Sequence, residues 1–388
     1  MASQTPPAKR ADGQGSNATI DDDVLYEILL SLPAKPLCRL RAVCRSWRSL
    51  ISAPSFIAAH TARRAAPLLL LQIHDASALN VHVLDMSSDE VVKRIRTERR
   101  TWRSLNFLLL MQTPHDLALA GLPCTYDDGL RLRLLDPVTG VDFALPDVDH
   151  DKQQHHRALF MIGRVSTGDY KVLCLSTCTS VPNRQQLCKV LTLSGDHRWR
   201  ETGCPPAKVR TGRRGGAAVN GVSYFLLSKG CIMAYDLEKE VWRPASLPAP
   251  IPSKRQHPRH MLDHGLTELG GCLALLYQDR HAFIELWLLV DADKLTWSRR
   301  FTITVPYRYQ GVNDPRLRMY TAEPLWLLDD GRIIFWICMI EGHPSTVLCT
   351  YEPRTMTYMD VADMRNYMLG GVYSGSLLDR GSFHLLHQ

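Results

Sequence analysis

Residues 20–56 read IDDDVLYEILLSLPAKPLCRLRAVCRSWRSLISAPSF and predict three short helices within one small segment. The first helix begins at Asp21–Asp23, because carboxylates favour the positive end of a helix dipole and accept hydrogen bonds from free backbone N–H groups. Pro33 ends that helix, and Pro36 opens the second, where its fixed φ angle suits a first turn. Pro54 ends the third helix. The segment is therefore predicted to form a small three-helix unit.

These helices carry more apolar residues than so small a unit buries by itself. The apolar residues with helical spacing are Val24, Leu25, Ile28, Leu29, Leu32, Leu37, Leu40, Val43, Cys44, Trp47, Leu50 and Ile51. We therefore interpret the segment as a docking module with an exposed apolar face. The alternative is an ordinary helical hairpin whose leucines pack on the domain that follows.

The segment also resembles the F-box, because a series of motif residues occurs in the same order. The matching positions are Asp22-Asp23, Val24-Leu25, Glu27-Ile28-Leu29, Leu32-Pro33, Leu37, Val43-Cys44-Arg45-Ser46-Trp47-Arg48, Leu50-Ile51-Ser52, Pro54 and Phe56. One position departs from the family pattern, since Ile20-Asp21 stands where the F-box opens with leucine-proline.

The resemblance implies that the segment binds a Skp-family adaptor and, through it, a cullin–RING ubiquitin ligase. The implied contact residues are Ile20, Val24, Leu25, Ile28, Leu29, Leu32, Pro33, Leu37, Val43 and Trp47. Among them, we expect Leu25, Ile28, Leu29, Leu32 and Pro33 to be partly exposed in the free chain and to become buried by the adaptor.

Length and composition are those of a globular protein with a small module and one large domain. The chain has 388 residues, of which 45% are hydrophobic and 22% are charged, and its net charge is +7. Lysine and arginine are spread along the chain without interleaved aromatic residues, so nucleic-acid binding is not indicated. The longest apolar runs, such as Ile333–Ile340, are of strand length, so no membrane span is expected.

The 11 cysteines predict thiols and no disulfide framework, because their count is odd and their spacing is irregular. Residues 1–19 lack the apolar stretch of a secretory signal and are predicted to form a disordered tail. We therefore expect a cytoplasmic or nuclear protein. The predicted domains are the tail, residues 20–64 with the F-box and a linking helix over Ile57–Arg64, and a β domain over residues 65–388.

Beyond residue 65, short apolar runs alternate with turn residues, which predicts an all-β domain. The predicted strands are Leu68–Ile73, Val81–Leu84, Leu130–Leu135, Tyr170–Leu175, Cys188–Leu193, Val222–Leu227, Ile232–Tyr235, Leu273–Tyr277, Ile284–Val290, Ile333–Ile340 and Thr346–Tyr351. The expected fold class is an α+β multidomain chain, in which a small three-helix F-box precedes an all-β propeller-like domain.

A loose repeat supports the propeller, because an apolar strand ending in an acid is followed by a turn and an aromatic residue. The copies are Leu134–Phe143, Ala234–Trp242, Leu289–Trp297 and Cys349–Tyr358, with a shorter variant at Leu193–Trp199. The acid tightens the turn and the aromatic residue covers the hairpin. The spacing fits four-stranded blades, and the length fits six or seven of them. A pair of β-sandwiches is the alternative.

The β domain resembles the F-box-associated domain of plant F-box proteins, a kelch-like propeller relative. The matching stretches are Ser166–Val172, Val190–Trp199, Ala218–Phe225 and Ile232–Trp242, in the family order. Paired glycines of the kelch type are mostly absent. The two resemblances together imply the substrate-recognition subunit of an SCF-type ubiquitin ligase, a non-catalytic role that needs no cofactor.

The motifs of competing chemistry are missing from the sequence. It contains no G-x-S-x-G elbow, no phosphate-binding G-x-x-x-x-G-K-[ST] loop and no dinucleotide fingerprint. Histidines cluster around His155 and His260, but we interpret both clusters as loop residues and expect no metal. A β-propeller enzyme and a glycan-binding lectin-like protein remain the alternatives.

Two basic loops of the β domain are the expected substrate-binding elements, namely Lys208–Arg214 and Ser253–His264. Their charge is expected to be unpaired and to attract an acidic partner. The residues predicted to bind the substrate are Arg210, Arg213, Arg214, Lys254 and Arg255. Trp242 and Trp297 are expected to be buried scaffold residues.

Overall fold

The computed structural model divides into two compact units, residues 1–63 and residues 64–388. The residues that it describes are 21–63, 67–73, 79–86, 90–97, 109–111, 118–121, 132–148, 156–178, 186–211, 214–227, 231–243, 247–248, 263–278, 283–292, 296–306, 320–339, 345–364, 367–373 and 375–378. The predicted tail over residues 1–19 lies outside these ranges, so its disorder stays a prediction.

The first unit consists of short helices, as predicted. They are α1 (Asp22–Ser31), α2 (Ala34–Leu40), α3 (Arg45–Ile51) and α4 (Pro54–Ala62). The Asp21 side chain caps α1 by accepting from the Asp23 backbone N–H. The fourth helix begins at Pro54 and not at Ile57, because proline at the first helical position loses no hydrogen bond and has a suitable φ angle.

The core of the helical unit consists of one or two residues from each helix. Leu29, Leu37, Ile51 and Phe56 are each at most 1% exposed. The Tyr26 ring meets the Phe56 ring edge-on at 5.4 Å between centroids. The helices contact one another in the pairs α1–α4, α3–α4 and α2–α3, and each contributes a buried apolar residue.

The second unit is all β, as predicted, and its described residues form six antiparallel sheets. The strands of the first three sheets are β1 (Leu68–Ile73), β2 (Leu79–Asp85) and β3 (Glu90–Thr97) with β25 (Tyr367–Tyr373); β4 (Leu109–Met111), β5 (Ala118–Gly121), β6 (Leu132–Leu135) and β7 (Asp142–Ala144); and β8 (His156–Arg164), β9 (Tyr170–Cys178), β10 (Gln186–Thr192) and β11 (Arg200–Thr202).

The other three sheets follow along the chain. Their strands are β12 (Gly216–Val219), β13 (Val222–Leu226), β14 (Cys231–Asp236) and β15 (Val241–Trp242), with β16 (Leu247–Pro248) also on β14; β17 (Asp263–Leu269), β18 (Cys272–Gln278), β19 (Phe283–Asp291) and β20 (Thr296–Thr304); and β21 (Tyr320–Leu327), β22 (Ile333–Met339), β23 (Ser345–Glu352) and β24 (Thr357–Asp363).

Each sheet is an antiparallel meander with one inner strand, and the inner strands of successive sheets lie side by side. Contacts join β8 to β12, β12 to β17, β17 to β21, β21 to β25 and β25 to β4. The last strand, β25, pairs with β1 and so completes the first sheet. This arrangement is that of a propeller, and the prediction of paired β-sandwiches is wrong.

The acidic turns predicted from the repeat are present. The buried Asp136 accepts from the Val138 backbone N–H at 2.8 Å and from the Thr139 hydroxyl at 2.7 Å. Asp236 accepts from two backbone N–H groups of its turn, both at 3.1 Å. Each acid therefore closes the hairpin between the third and fourth strands of its sheet.

In the fourth sheet, the turn between the first strand, β12, and the second strand, β13, consists of two residues. Asn220 and Gly221 connect β12 to β13 with φ angles of 49° and 74°. Positive φ at both central residues is the conformation of a type I′ hairpin, which asparagine and glycine adopt with the least strain. This turn explains why Asn220 and Gly221 stand in the stretch Ala218–Phe225 that matches the family.

The expectation that Trp242 and Trp297 are buried is wrong, because both side chains are partly exposed. They lie on the outer strands β15 and β20 and cover the edges of two apolar clusters. The Trp242 ring packs 5.1 Å from Tyr235 and 5.4 Å from Phe225, between centroids, and its indole N–H donates to the Gly203 carbonyl at 2.7 Å. The aromatic residue of this repeat thus covers the apolar cluster from the outer strand of its hairpin.

We expect Trp242→Ala to lower the free energy of unfolding of the β unit by about 2–3 kcal/mol, below the cost for a fully buried tryptophan. The loss comes from two aromatic contacts and one hydrogen bond. Chemical denaturation followed by circular dichroism measures it. Trp242→Phe, which keeps the ring contacts, should recover part of the loss, and equal stability of both variants with the natural chain would contradict this role.

Candidate functional site

The helical unit exposes an apolar stripe on α1. Val24 and Ile28 lie one helical turn apart, and 51% and 47% of their surfaces are exposed. Val43, in the turn after α2, is 61% exposed. Pro33 is exposed as well, while Leu25, Leu32 and Trp47 are partly exposed. The exposure expected for Leu25, Ile28, Leu32 and Pro33 is therefore present.

The same expectation is wrong for Leu29, which is 1% exposed and belongs to the core of the unit. Leu37 is 0% exposed and fills the same core. Neither side chain is accessible to a partner while the unit is folded. Ile20, also expected to contact the adaptor, lies outside the described residues. The predicted docking set therefore separates into surface residues and residues that hold the helices together.

Polar contacts fix the turns that present this surface. The Leu32 carbonyl, at the end of α1, lies 2.9 Å from His60 Nε2. The Arg41 guanidinium donates to the Ile51 carbonyl at 3.2 Å, and the Arg48 guanidinium donates to the Arg41 carbonyl at 3.1 Å. The turns after α1 and α2 are therefore tied to α3 and α4 by side-chain hydrogen bonds.

In the β unit, one residue of each predicted basic loop meets the other where inner strands begin: Arg210 of the first loop contacts His264, which lies in β17, while residues 253–262 lie outside the described residues. Arg210 Nη1 lies 2.9 Å from His264 Nε2 and donates to the His264 carbonyl at 3.4 Å. The His264 ring stacks on Tyr277 with 5.9 Å between centroids. The sequence did not predict this contact, because the residues are more than fifty positions apart and come together only through strand order.

Arg214 has a different environment from the one predicted. Its guanidinium forms an ion pair with Glu323 at 3.2 Å and donates to the Ala322 carbonyl at 3.3 Å. Its side chain is only 12% exposed and occupies the space above Gly265, where a Cβ atom would lie 2.4 Å from the Arg214 Cβ. The expectation of unpaired charge is wrong for Arg214, which connects β12, β17 and β21.

A buried acid, Glu285, lies two strands away from His264 in the same sheet. Glu285 is 0% exposed and stands opposite Tyr277, which in turn stands opposite His264. Burial, and then the charge of Glu285, raise the pKa of Tyr277 to about 12. Tyr277 therefore keeps its proton at neutral pH and presents a neutral ring to His264.

Three further residues were predicted to bind the substrate, namely Arg213, Lys254 and Arg255. They lie outside the described residues, so their substrate role stays a prediction. Within the described residues, no group of three or more His, Cys, Asp or Glu side chains is arranged to hold a metal ion. No described helix has the length and apolarity to cross a membrane.

Comparison with protein families assigns both units. The description "F-box associated beta propeller domain" matches residues 72–367, and the description "F-box domain" matches residues 19–58. The chain belongs to the F-box-associated β-propeller family. The resemblances seen in the sequence are thereby confirmed in their family and in their order along the chain.

Two relatives align with this F-box protein over nearly the full length of both chains. It is 25% identical to F-box protein At3g07870 of Arabidopsis thaliana, over 97% of this chain and 98% of the relative. It is 24% identical to F-box/kelch-repeat protein At3g04660 of Arabidopsis thaliana, over 92% and 90%. Among solved structures, an oligogalacturonate lyase from Vibrio parahaemolyticus matches 78% of this chain and 81% of its own, at 10% identity and a TM-score of 0.41.

Proposed function

We propose that this F-box protein is the substrate-recognition subunit of an SCF-type cullin–RING ubiquitin ligase. The helical unit docks on a Skp-family adaptor, and the propeller captures a protein and holds it near the ubiquitin-loading machinery. Proximity supplies the rate increase, since a bound substrate reacts as if the step were intramolecular. The bond-forming chemistry belongs to other subunits, and F-box proteins among the relatives support this non-catalytic role.

The observation that carries the proposal is an apolar surface left over by a complete core. Leu29, Leu37, Ile51 and Phe56 already fill the centre of the F-box. Val24 and Ile28 remain about half exposed on a regular helix, where they add nothing to that centre. Covering such apolar side chains with a partner removes them from water and stabilises the complex.

The chemistry of the described thiols agrees with a cytoplasmic or nuclear location, which we propose for the protein. Cys174, Cys188 and Cys204 carry free thiols. Burial raises the pKa of the Cys188 thiol to about 11, so it stays protonated and unreactive at neutral pH. Cys174 and Cys188 are buried and act as apolar packing groups, whereas Cys204 is exposed.

Reconstitution tests the proposal. The full chain, a Skp-family adaptor, a cullin and a RING subunit are mixed and separated by size-exclusion chromatography. We expect one complex that contains all four chains. A complex that forms equally well with residues 64–388 alone would show that the F-box does not dock, and a reducible ubiquitin thioester on this chain would refute the non-catalytic role.

A further inference from the structure

We propose that Arg210 is the anchor for an anionic group, a carboxylate or a phosphate, on the protein that the propeller captures. The proposal rests on the proposed substrate-receptor function and names the chemistry that this receptor selects. It separates Arg210 from the other arginines of the same loop.

The backbone of Arg210 is held on both sides before any partner arrives. Its N–H donates to the Leu226 carbonyl at 2.8 Å. The preceding residue, Val209, exchanges two hydrogen bonds with the buried Gln186 side chain, at 2.7 and 2.8 Å. The loop is therefore fixed between the third and fourth sheets at this point, and little ordering cost remains to be paid on binding.

Within the described residues, the guanidinium of Arg210 hydrogen-bonds a histidine and forms no ion pair with an acid. Its hydrogen bonds go to the ring nitrogen and the carbonyl of His264. Because an arginine is always a donor, His264 Nε2 must accept and the ring is neutral in this contact. A guanidinium carries five N–H donors, so donors remain for a ligand.

Comparison with other described arginines of the β unit shows that this arrangement differs from theirs. Arg133 contacts Asp142, and Arg214 contacts Glu323. Arg200, nearly half exposed, pairs with Glu240. Each of these cations is compensated by a carboxylate of the chain itself. Arg210 is partly buried like Arg133 and Arg214, yet no ion pair compensates it within the described residues.

The surrounding charges favour an anion at this position. Lys208 is exposed two residues away. Two acids with described side chains on the neighbouring strands are already engaged or enclosed, since Glu323 pairs with Arg214 and Glu285, opposite Tyr277, is fully buried. A planar guanidinium with free donors binds carboxylate or phosphate oxygens with two hydrogen bonds at once.

The position of Arg210 on the propeller is also that of a binding surface. It lies where inner strands begin, and the connection between β11 and β12 that contains it covers residues 203–215. At the opposite end, only residues 220–221 and 270–271 join first to second strands in two neighbouring sheets. Long connections on a rigid scaffold are where recognition residues concentrate.

Peptide binding to the full chain tests the inference. Three fluorescent 12-residue peptides share one sequence and differ at the centre, which holds Glu-Glu, phosphoserine or Gln-Gln. Fluorescence polarisation at about 0.15 M salt, where long-range attraction to the positive chain is screened, measures their affinities. The variants are Arg210→Gln, Arg210→Glu and the control Arg198→Gln, which removes an exposed arginine from the turn between β10 and β11.

We expect at least one anionic peptide to bind the natural chain and Arg198→Gln about tenfold or more tightly than the Gln-Gln peptide, and Arg210→Gln to lose that preference. Whether Glu-Glu or phosphoserine binds better identifies the anion. Arg210→Glu should prefer a Lys-Lys version of the peptide, a reversal that a purely structural role would not produce.

Absence of any preference for the anionic peptides, or equal loss in Arg198→Gln and Arg210→Gln, would overturn the inference. Adaptor binding is measured on every variant. Retained adaptor binding with no anion preference refutes the anion anchor alone, whereas lost adaptor binding in the natural chain refutes the receptor function.

Discussion

Ile28→Asp is expected to abolish co-purification of the Skp-family adaptor while both units stay folded. The side chain is 47% exposed on α1, so a carboxylate there stays hydrated in the free chain. In a complex the same carboxylate would be buried against apolar surface without a partner, which is strongly unfavourable. A central apolar anchor of an interface contributes about 2 kcal/mol or more, so we expect affinity to fall about 30-fold or further.

The matched control is Ala58→Asp, which places the same carboxylate at an exposed position of α4. It should bind the adaptor as the natural chain does. Leu37→Asp is a contrasting variant, because a charge at a fully buried position unfolds the helical unit. Circular dichroism separates these cases, and full adaptor binding by a folded Ile28→Asp variant would refute the assignment of the docking face.

The helical pattern predicted the small helical unit but not which of its apolar residues face outward. Ile28 and Leu29 are adjacent in sequence, and both fit the apolar spacing of α1. One is half exposed and the other is buried, because α1 contacts α4 along one side, where the Tyr26 ring meets the Phe56 ring, and leaves another side uncovered within the unit. Periodicity identifies an amphipathic helix, whereas the division of a broad apolar face requires knowledge of the neighbouring helices.

Strand prediction succeeded where strands are buried on both faces. Each predicted run overlaps a strand of the structure, such as Leu68–Ile73 in β1 and Ile333–Ile340 in β22. Many strands were missed, and two of them show why a mixed sequence gives a weak signal: β3 at Glu90–Thr97 is an outer strand rich in charge, and β17 at Asp263–Leu269 contains Gly265 at a close contact with Arg214. An outer strand needs few apolar residues, and an inner strand needs small ones.

Charge in the sequence did not indicate which arginines of the loop Lys208–Arg214 are compensated by an acid. The substrate role of this loop stays a prediction. Arg214 pairs with Glu323, while Arg210 contacts a neutral histidine. The sequence distance from Arg214 to Glu323 spans two sheets, so only the assembled fold shows which positive charge is compensated and which is not.

Removal of β25 is expected to have the largest effect on the β unit. A chain that ends after residue 366 loses the strand that pairs with β1 from Leu68↔Tyr373 to Ile73↔Tyr367. It also loses Tyr373, which is 1% exposed in the core of the first sheet. The inner ring is then interrupted between β21 and β4, both of which contact β25.

The exposed strand makes this loss severe. Residues Leu68–Leu71 of β1 are all at most 3% exposed in the full chain. Without β25 they form an apolar edge with unpaired backbone groups, which pairs readily with other chains. We therefore expect the shortened chain to aggregate and to lack a cooperative melting transition, as measured by size-exclusion chromatography and calorimetry.

The control removes only residues 379–388 and should melt like the natural chain. A monomeric, cooperatively melting chain that ends at residue 366 would show that β25 does not close the propeller, and that the first sheet is stable as β1, β2 and β3 alone.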